Sequence, residues 1–169
     1  VSKAQRPMGS EDVGFRIGPL INAAGRLGSG YVAYSLLVSD DPDYSVHLAK
    51  YLVRQNDKRK DIEKSVTERA KLQYARVYEE TPFGVVLGDE DWHEGVVGIT
   101  AAKIAETYNR PSIILSVEGD NAKGSGRSAL GVNLKDALDE CADLLNRYGG
   151  HAAAVGMSLD SGKMGEFRK

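Results

Sequence analysis

The segment Lys123-Gly124-Ser125-Gly126-Arg127-Ser128, followed about twenty residues later by Gly149-Gly150-His151, sets bare backbone beside a guanidinium, a hydroxyl and an imidazole. Glycine lets main-chain N–H groups approach a ligand without a Cβ in the way, and arginine adds a planar fork of donors that matches a phosphate. These residue types suit the gripping of an oxyanion or a phosphate. Two further residues could join them: Asn22 and Arg26 lie four apart in a helical pattern, so they share one face. His93 stands directly before a helix start, where an anion would be welcome, and Trp92 beside it could cover a sheet or stack on a base. Asp89, Glu90 and Asp91 have metal-friendly side chains, but their adjacent spacing reads as a loop. Nowhere in the 169 residues do Asp and His cluster densely enough to hold a pair of catalytic metals.

The elements that position these residues follow from periodicity. After Thr81-Pro82 the chain alternates strand and helix signals, as a compact α/β unit does. Residues 83–87 and 112–117 are short runs of Val, Ile and Leu suited to adjacent inner strands, and the helix between them starts near Gly95 and closes at Asn109-Arg110-Pro111. A third strand covers 121–127. It passes through Ser128 into a helix capped by Asn133, so free N–H groups and the helix dipole would face an anion near Ser128. Leu134, Ala137, Leu138, Cys141, Leu144 and Leu145 make an apolar stripe that carries this helix to Gly149. On that reading, capping explains Gly149. Gly150 is left to mark a close approach of backbone to ligand, with His151 aimed into the same space. Residues 152–159 form a returning strand, and 164–169 begin another helix. Gly124, Gly126 and Ala129 also spell G-x-G-x-x-A, but the preceding strand is polar and no acidic residue follows at the required distance, so a dinucleotide site is disfavoured.

The first half of the chain is helical. Residues 1–16 lack a clear period and read as the frayed end of an excised segment. A helix over 17–28 has Pro19 in its first turn and Gly28 at its stop, and another covers 30–38. From Pro42 to Glu79 a single helix about 55 Å long is expected. Its middle, residues 54–61, is polar on every side, the mark of a strut crossing solvent between domains, with Arg59–Glu63 and Lys64–Glu68 as supporting pairs. The basic run at 58–60 reads as a wet face.

Composition narrows the class. Hydrophobic residues at 41% and charged residues at 27% are ordinary globular values, with no apolar run long enough to cross a membrane. A net charge of −2 argues against coating nucleic acid by bulk charge, so any phosphate binding must be focal. The single cysteine, Cys141, reads as a buried structural thiol, and a reducing, cytoplasmic setting is expected.

Five motifs then coincide: Arg16 to Leu27, Trp92 to Ile99, Arg110-Pro111, Lys123 to Ser128 and Gly149 to Gly156. In order and spacing they resemble the RecJ family of bacterial single-strand-specific 5′→3′ exonucleases, within the DHH phosphoesterase superfamily, over residues 12–160. The resemblance implies an α/β fold: a long connecting helix followed by a small domain with a mixed β-sheet flanked by helices. It divides the chain into a remnant of the catalytic DHH domain (1–41), the connecting helix (42–81) and the DHH-associated substrate-binding domain (82–169), truncated at its C-terminus. It further implies that the ligands for two Mn²⁺ or Mg²⁺ ions lie before Val1, and that this stretch holds no metal of its own and binds nucleic acid without cutting it. By position, Arg26 and Ser128, with Asn22 and Arg127 nearby, resemble the pocket for a strand's 5′ phosphate. His151 with Gly149 and Gly150 resembles the group holding the scissile phosphate, and Gly126 and His93 belong to the same surface. The implied ligand is 5′-phosphorylated single-stranded DNA, and the implied parent is a monomeric cytoplasmic bacterial enzyme with helicase or single-strand-binding partners. An oligoribonuclease or cyclic-dinucleotide phosphodiesterase of the same superfamily, an editing domain related to alanyl-tRNA synthetase, and a non-enzymatic binding module are the competing readings.

Overall fold

The computed structural model describes residues 7–169, which divide into a compact unit ending at Ile62 and a second one, Glu63–Lys169. In the first unit a helical turn, α1 (Ser10–Asp12), continues as a π-helical turn (Val13–Ile17) into α2 (Gly18–Leu27) and α3 (Tyr31–Val38), followed by the first part of α4 (Pro42–Val77). Pro19 sits in the first turn of α2 and Gly28 at its C-cap, as their chemistry demands. Asp41 accepts from the N–H groups of Asp43 (2.9 Å) and Tyr44 (3.1 Å), capping α4. Ala24, Ala33 and Leu52 form the small core, with Ile21, Val32 and Leu36 against it.

Residues 10–16 are therefore helical, where the sequence suggested fraying; the expectation for residues 1–6 lies outside the described residues. A π turn carries no 3.6-residue period, so periodicity is silent there. What holds the turn is Asp12, which is buried, takes Arg16 in an ion pair at 2.8 Å and accepts the Gly9 N–H at 3.1 Å.

Helix α4 is continuous over 36 residues, but its polar middle is not wet on every side. Asn56 is buried, and its Oδ1 accepts from Arg59 Nε at 3.2 Å. Farther on, buried Glu63 meets Lys103 Nζ at 2.5 Å, while Glu68 pairs with Lys71 at 3.2 Å rather than with Lys64.

The second unit is built on five strands, β1 (Val85–Asp89), β2 (Ser112–Glu118), β3 (Asn121–Arg127), β4 (Leu145–His151) and β5 (Ala154–Asp160), in the order β1-β2-β3-β5-β4. Only β1 and β2 are parallel, joined by the crossover helix α5 (Glu94–Tyr108); the other pairs are antiparallel. One sheet face carries Val86, Ile113, Leu115, Ala122, Val155, Met157 and Leu159, packed against Leu134 and Leu138 of α6 (Leu134–Glu140) and against Met164 and Phe167 of the terminal α7 (Met164–Phe167). Helix α5 packs on β2 and β3, its C-cap Asn109 in the left-handed conformation.

Two expected elements move. The first strand starts at Val85, whose N–H reaches Pro111 O at 2.8 Å, and Phe83 is left fully exposed. More consequentially, α6 stops at Glu140, a 3₁₀ turn covers Ala142–Leu144, and Leu145 opens a strand. The apolar stripe that suggested a helix to Gly149 is real only as far as Cys141. Beyond it, pairing with β5 outweighs the pattern, in a stretch whose tyrosine and two glycines favour helix poorly. Gly149 thus lies within β4 and caps nothing. Cys141 is partly buried, donates from Sγ to Ala137 O at 3.2 Å, and its thiol pKa is pushed up by burial.

The outer edge of β1 would be open to stray strand pairing. The end of α4 closes it with side chains. Gln73 accepts the Gly88 N–H (3.1 Å) and donates to its carbonyl (2.9 Å), imitating a neighbouring strand, and the Tyr78 hydroxyl accepts the Val86 N–H at 2.8 Å. Burial raises the Tyr78 pKa. Arg69 adds contacts to Asp89 (3.0 Å) and Asp91 (3.1 Å), which gives the acidic loop a structural partner.

Candidate nucleic-acid interface

Strand alternation decides what the glycine-rich segment does. In β3, Ala122, Gly124 and Gly126 turn inward and are buried, while Lys123, Ser125 and Arg127 turn to the opposite face. A Cβ at Gly124 would run into the Ile114 carbonyl, and one at Gly126 would come within 2.7 Å of Val155 Cγ2. Both glycines are therefore demanded by packing, and Gly126 does not touch the open surface.

Residues directly paired across antiparallel strands share a face. Since β5 lies between β3 and β4, the registers Arg127↔Ala154 and Ala154↔His151 put Arg127 and His151 in one row, two strand spacings or about 9.6 Å apart at Cα. The next row is Ser125–Gly156–Gly149, and the one after it Lys123–Ser158–Arg147. The opposite face buries Val155, Met157 and Leu159. These three rows form a surface with α5 as one wall: at Gly98 of α5 an added Cβ would stand 3.3 Å from Arg127 Nη2 and 3.4 Å from Ser125 Oγ. On β4 and β5 the surface is open, with Gly156, His151 and Arg147 exposed.

The two adjacent glycines differ in what the fold asks of them. Gly150 has φ +137°, and a Cβ there would collide with the Ala154 carbonyl and approach Val155 Cα to 2.8 Å. Its requirement comes from β5, not from a ligand. Gly149 has open space around its Cβ position, and Gly156, its partner in register, meets nothing nearer than 3.9 Å. These are the glycines the fold leaves unexplained, and they lie on the Arg127–His151 face.

His151 Nδ1 accepts the Ala153 N–H at 3.3 Å, so the neutral ring carries its proton on Nε2, as a donor toward whatever lies beyond. Arg127 Nη1 donates to Gly126 O at 2.8 Å, which orients the guanidinium along the strand end. Ser128 departs from expectation. Its N–H is bonded to Ala153 O (2.9 Å), its hydroxyl donates in a short bond to Val132 O, and Asn133 Oδ1 takes the N–H groups of Lys135 and Asp136. The donors expected to be free near Ser128 are already used in closing the loop, and α6 has only seven residues.

His93 is the N-cap of α5, its Nδ1 accepting the Gly95 N–H at 3.0 Å. Beside it, Glu94 pairs with Lys123 at 2.8 Å, and that hydrogen bond and charge lower its pKa. Trp92 is buried, which removes it from base stacking. In the first unit, Asn22 and Arg26 lie one turn apart on the exposed side of α2, opposite buried Ala23 and Ala24.

Comparison with known proteins bears on this arrangement. The DHHA1 domain family model matches residues 70–169, more than half of the chain. The chain belongs to the DHHA1 domain family. This DHHA1 chain is 38% identical over 170 residues to the single-stranded-DNA-specific exonuclease RecJ of Salmonella typhimurium, covering 96% of the chain and 30% of that protein. Its identity to the Bacillus subtilis protein of the same name is 35% over 160 residues, covering 94% and 20%. The chain thus spans less than a third of the length of these relatives. The crystal structure of RecJ from Thermus thermophilus in complex with Mg²⁺ matches with a TM-score of 0.82 at 35% identity, covering 92% of this chain and 24% of that one; the same protein has been solved with Mn²⁺. The α/β architecture with its long helix and mixed sheet is shared with these structures.

Among the described residues of this DHHA1 chain no group of three or more His, Cys, Asp or Glu side chains could hold a metal ion. No helix among the described residues is long and apolar enough to cross a membrane. Arg147 is the surface residue that sequence reasoning passed over, because the stretch 134–149 read as helix and gave it no face. Strand parity from His151 backwards was the signal available: residues 151, 149 and 147 alternate onto one side.

Proposed function

We propose that the chain is the strand-gripping region of a metal-dependent 5′→3′ single-strand exonuclease that hydrolyses phosphodiester bonds in DNA repair and recombination, and that on its own it binds nucleic acid without cutting it. The observation that carries this reading is the Arg127–Ala154–His151 row on an open sheet face, which offers a guanidinium and an Nε2–H donor across one backbone residue. Such preorganised donors hold a phosphate and stabilise charge developing on it, which is the contribution two-metal hydrolysis needs from residues outside the metal shell. The relatives named as single-stranded-DNA-specific exonucleases, and the neighbours solved with Mg²⁺ or Mn²⁺, support the activity and cofactor of the parent.

In this reading Arg127 and His151 donate to phosphate oxygens while Gly149 and Gly156 let the strand lie close to the sheet. Ser128 shapes the loop that presents Arg127, and Asn22 and Arg26 engage the strand's 5′-phosphorylated end. The test is a competition assay with a fluorescent 5′-phosphorylated single strand. Unlabelled 5′-phosphorylated strands should displace it better than 5′-hydroxyl strands, and both better than duplex; equal competition by duplex would overturn the reading.

A further inference from the structure

A groove of about 680 Å³ begins one row along the strands from Arg127 and His151, its lining including Asn121, Lys123, Ser125, Arg147, Gly156 and Ser158. Its far end carries two cations on one row, Lys123 and Arg147, on either side of Ser158. Lys123 and Arg127 lie four positions apart on β3, about 13 Å. That exceeds what a single phosphate spans and suits a short extended oligonucleotide. The floor between the two cationic rows is Ser125, Gly156 and Gly149, a strip with little side chain to obstruct a sugar or a base.

We propose that Lys123 and Arg147 form a second phosphate subsite, separate from the Arg127–His151 site, that holds a downstream phosphate of the same single strand and so sets a minimum length for tight binding. This rests on the reading of the sheet face as a single-strand surface. Charge complementarity selects the occupant. Arg147 is exposed on the open side of the groove, and Lys123 is engaged only with Glu94, in a pair whose side chains are 63% and 61% exposed. An exposed pair of this kind is worth little, so a phosphate can compete for the ammonium. Asp160, the one carboxylate at the far end of the same β5 face, is turned to Asn146 at 3.0 Å. A polyphosphate strand fits this pattern; an apolar peptide would leave Arg147 and Lys123 without a partner.

The experiment is an NMR titration of the chain with two probes, thymidine 5′-monophosphate and a 5′-phosphorylated oligothymidylate tetranucleotide, repeated at several salt concentrations. Arg147→Ala should leave mononucleotide affinity within about twofold, weaken the tetranucleotide about fivefold or more, and reduce its log–log salt slope by about 0.7, one phosphate contact on a single strand. Lys123→Ala should behave alike, Arg147→Lys should restore most of the loss, and Glu94→Gln should tighten the tetranucleotide alone by releasing Lys123. No effect of Arg147→Ala on the tetranucleotide, or an equal loss for both probes, would overturn the second subsite. Arg127→Ala and His151→Ala should weaken both probes. If they do not, or if the unaltered chain binds neither probe, the underlying reading fails and the subsite with it.

Discussion

Substituting Gly150 and Gly149 in turn should separate what the fold requires from what a ligand requires. At Gly150 the backbone has φ +137°, and an alanine Cβ would meet the Ala154 carbonyl and stand 2.8 Å from Val155 Cα. Holding a non-glycine residue in that region costs about 1–3 kcal/mol. Pushing β5 back from a position where both its carbonyl and its Cα are in the way adds a further ~1–3 kcal/mol, as overpacking does. A loss of roughly 3 kcal/mol or more is large against a domain stability of about 5–15 kcal/mol. At about 4–8 °C per kcal/mol for a unit of this size, the melting temperature should fall by on the order of 15 °C. Gly149→Ala is the control: its Cβ would enter open space, so the melting temperature should hold or rise slightly, the unfolded chain having lost freedom. The same methyl stands on the Arg127–His151 face, and it should weaken single-strand binding by roughly 1 kcal/mol, about fivefold. Thermal unfolding by circular dichroism and binding by fluorescence anisotropy read the two effects separately. A Gly150→Ala protein that melts within a degree or two of the parent would refute the packing argument. A Gly149→Ala protein with unchanged affinity would refute the placement of the strand over that glycine.

Two other substitutions probe parts of the fold that support the surface. Gln73→Ala removes both side-chain bonds to Gly88, at a cost of about 1–2 kcal/mol, and should sharply lower hydrogen-exchange protection of the Gly88 amide; unchanged protection would mean the edge of β1 is closed in another way. Leu130 has φ +58° and an exposed side chain in the loop after Ser128. Because a left-handed conformation costs a non-glycine residue about 1–2 kcal/mol, Leu130→Gly should raise the melting temperature, and a fall would show that the leucine makes contacts outweighing its strain.

Much of this architecture was legible in the sequence, and the failures have a common cause. Strand β2, helix α5 with its Asn109 stop, and the Asn133 cap were evident because each is specified locally, by an apolar run, a period or a capping side chain. β4 was hidden because Leu144 and Leu145 continue a helical stripe, and only the partner strand β5 tells Leu145 to leave it. That single error made Gly149 read as a helix cap, whereas it lies within β4. The free donors expected near Ser128 are absent for a related reason. Its hydroxyl and N–H are consumed by Val132 and Ala153, contacts that depend on how the loop folds back rather than on residue type. The Gln73 and Tyr78 clasp on β1 joins residues whose pairing leaves no periodic trace. Arg127 and His151 are brought onto one sheet face by strand register alone.

The most direct test of that surface is a double-mutant cycle on Arg127→Ala and His151→Ala, reading affinity for a 5′-phosphorylated single strand. The two side chains are far enough apart that, without a shared partner, their effects should add within about 0.3–0.5 kcal/mol. If both hold the same phosphate, the cycle should give an interaction energy above about 0.5 kcal/mol, the double variant losing less than the sum of the single losses. Strict additivity, or no loss from either substitution, would contradict the account.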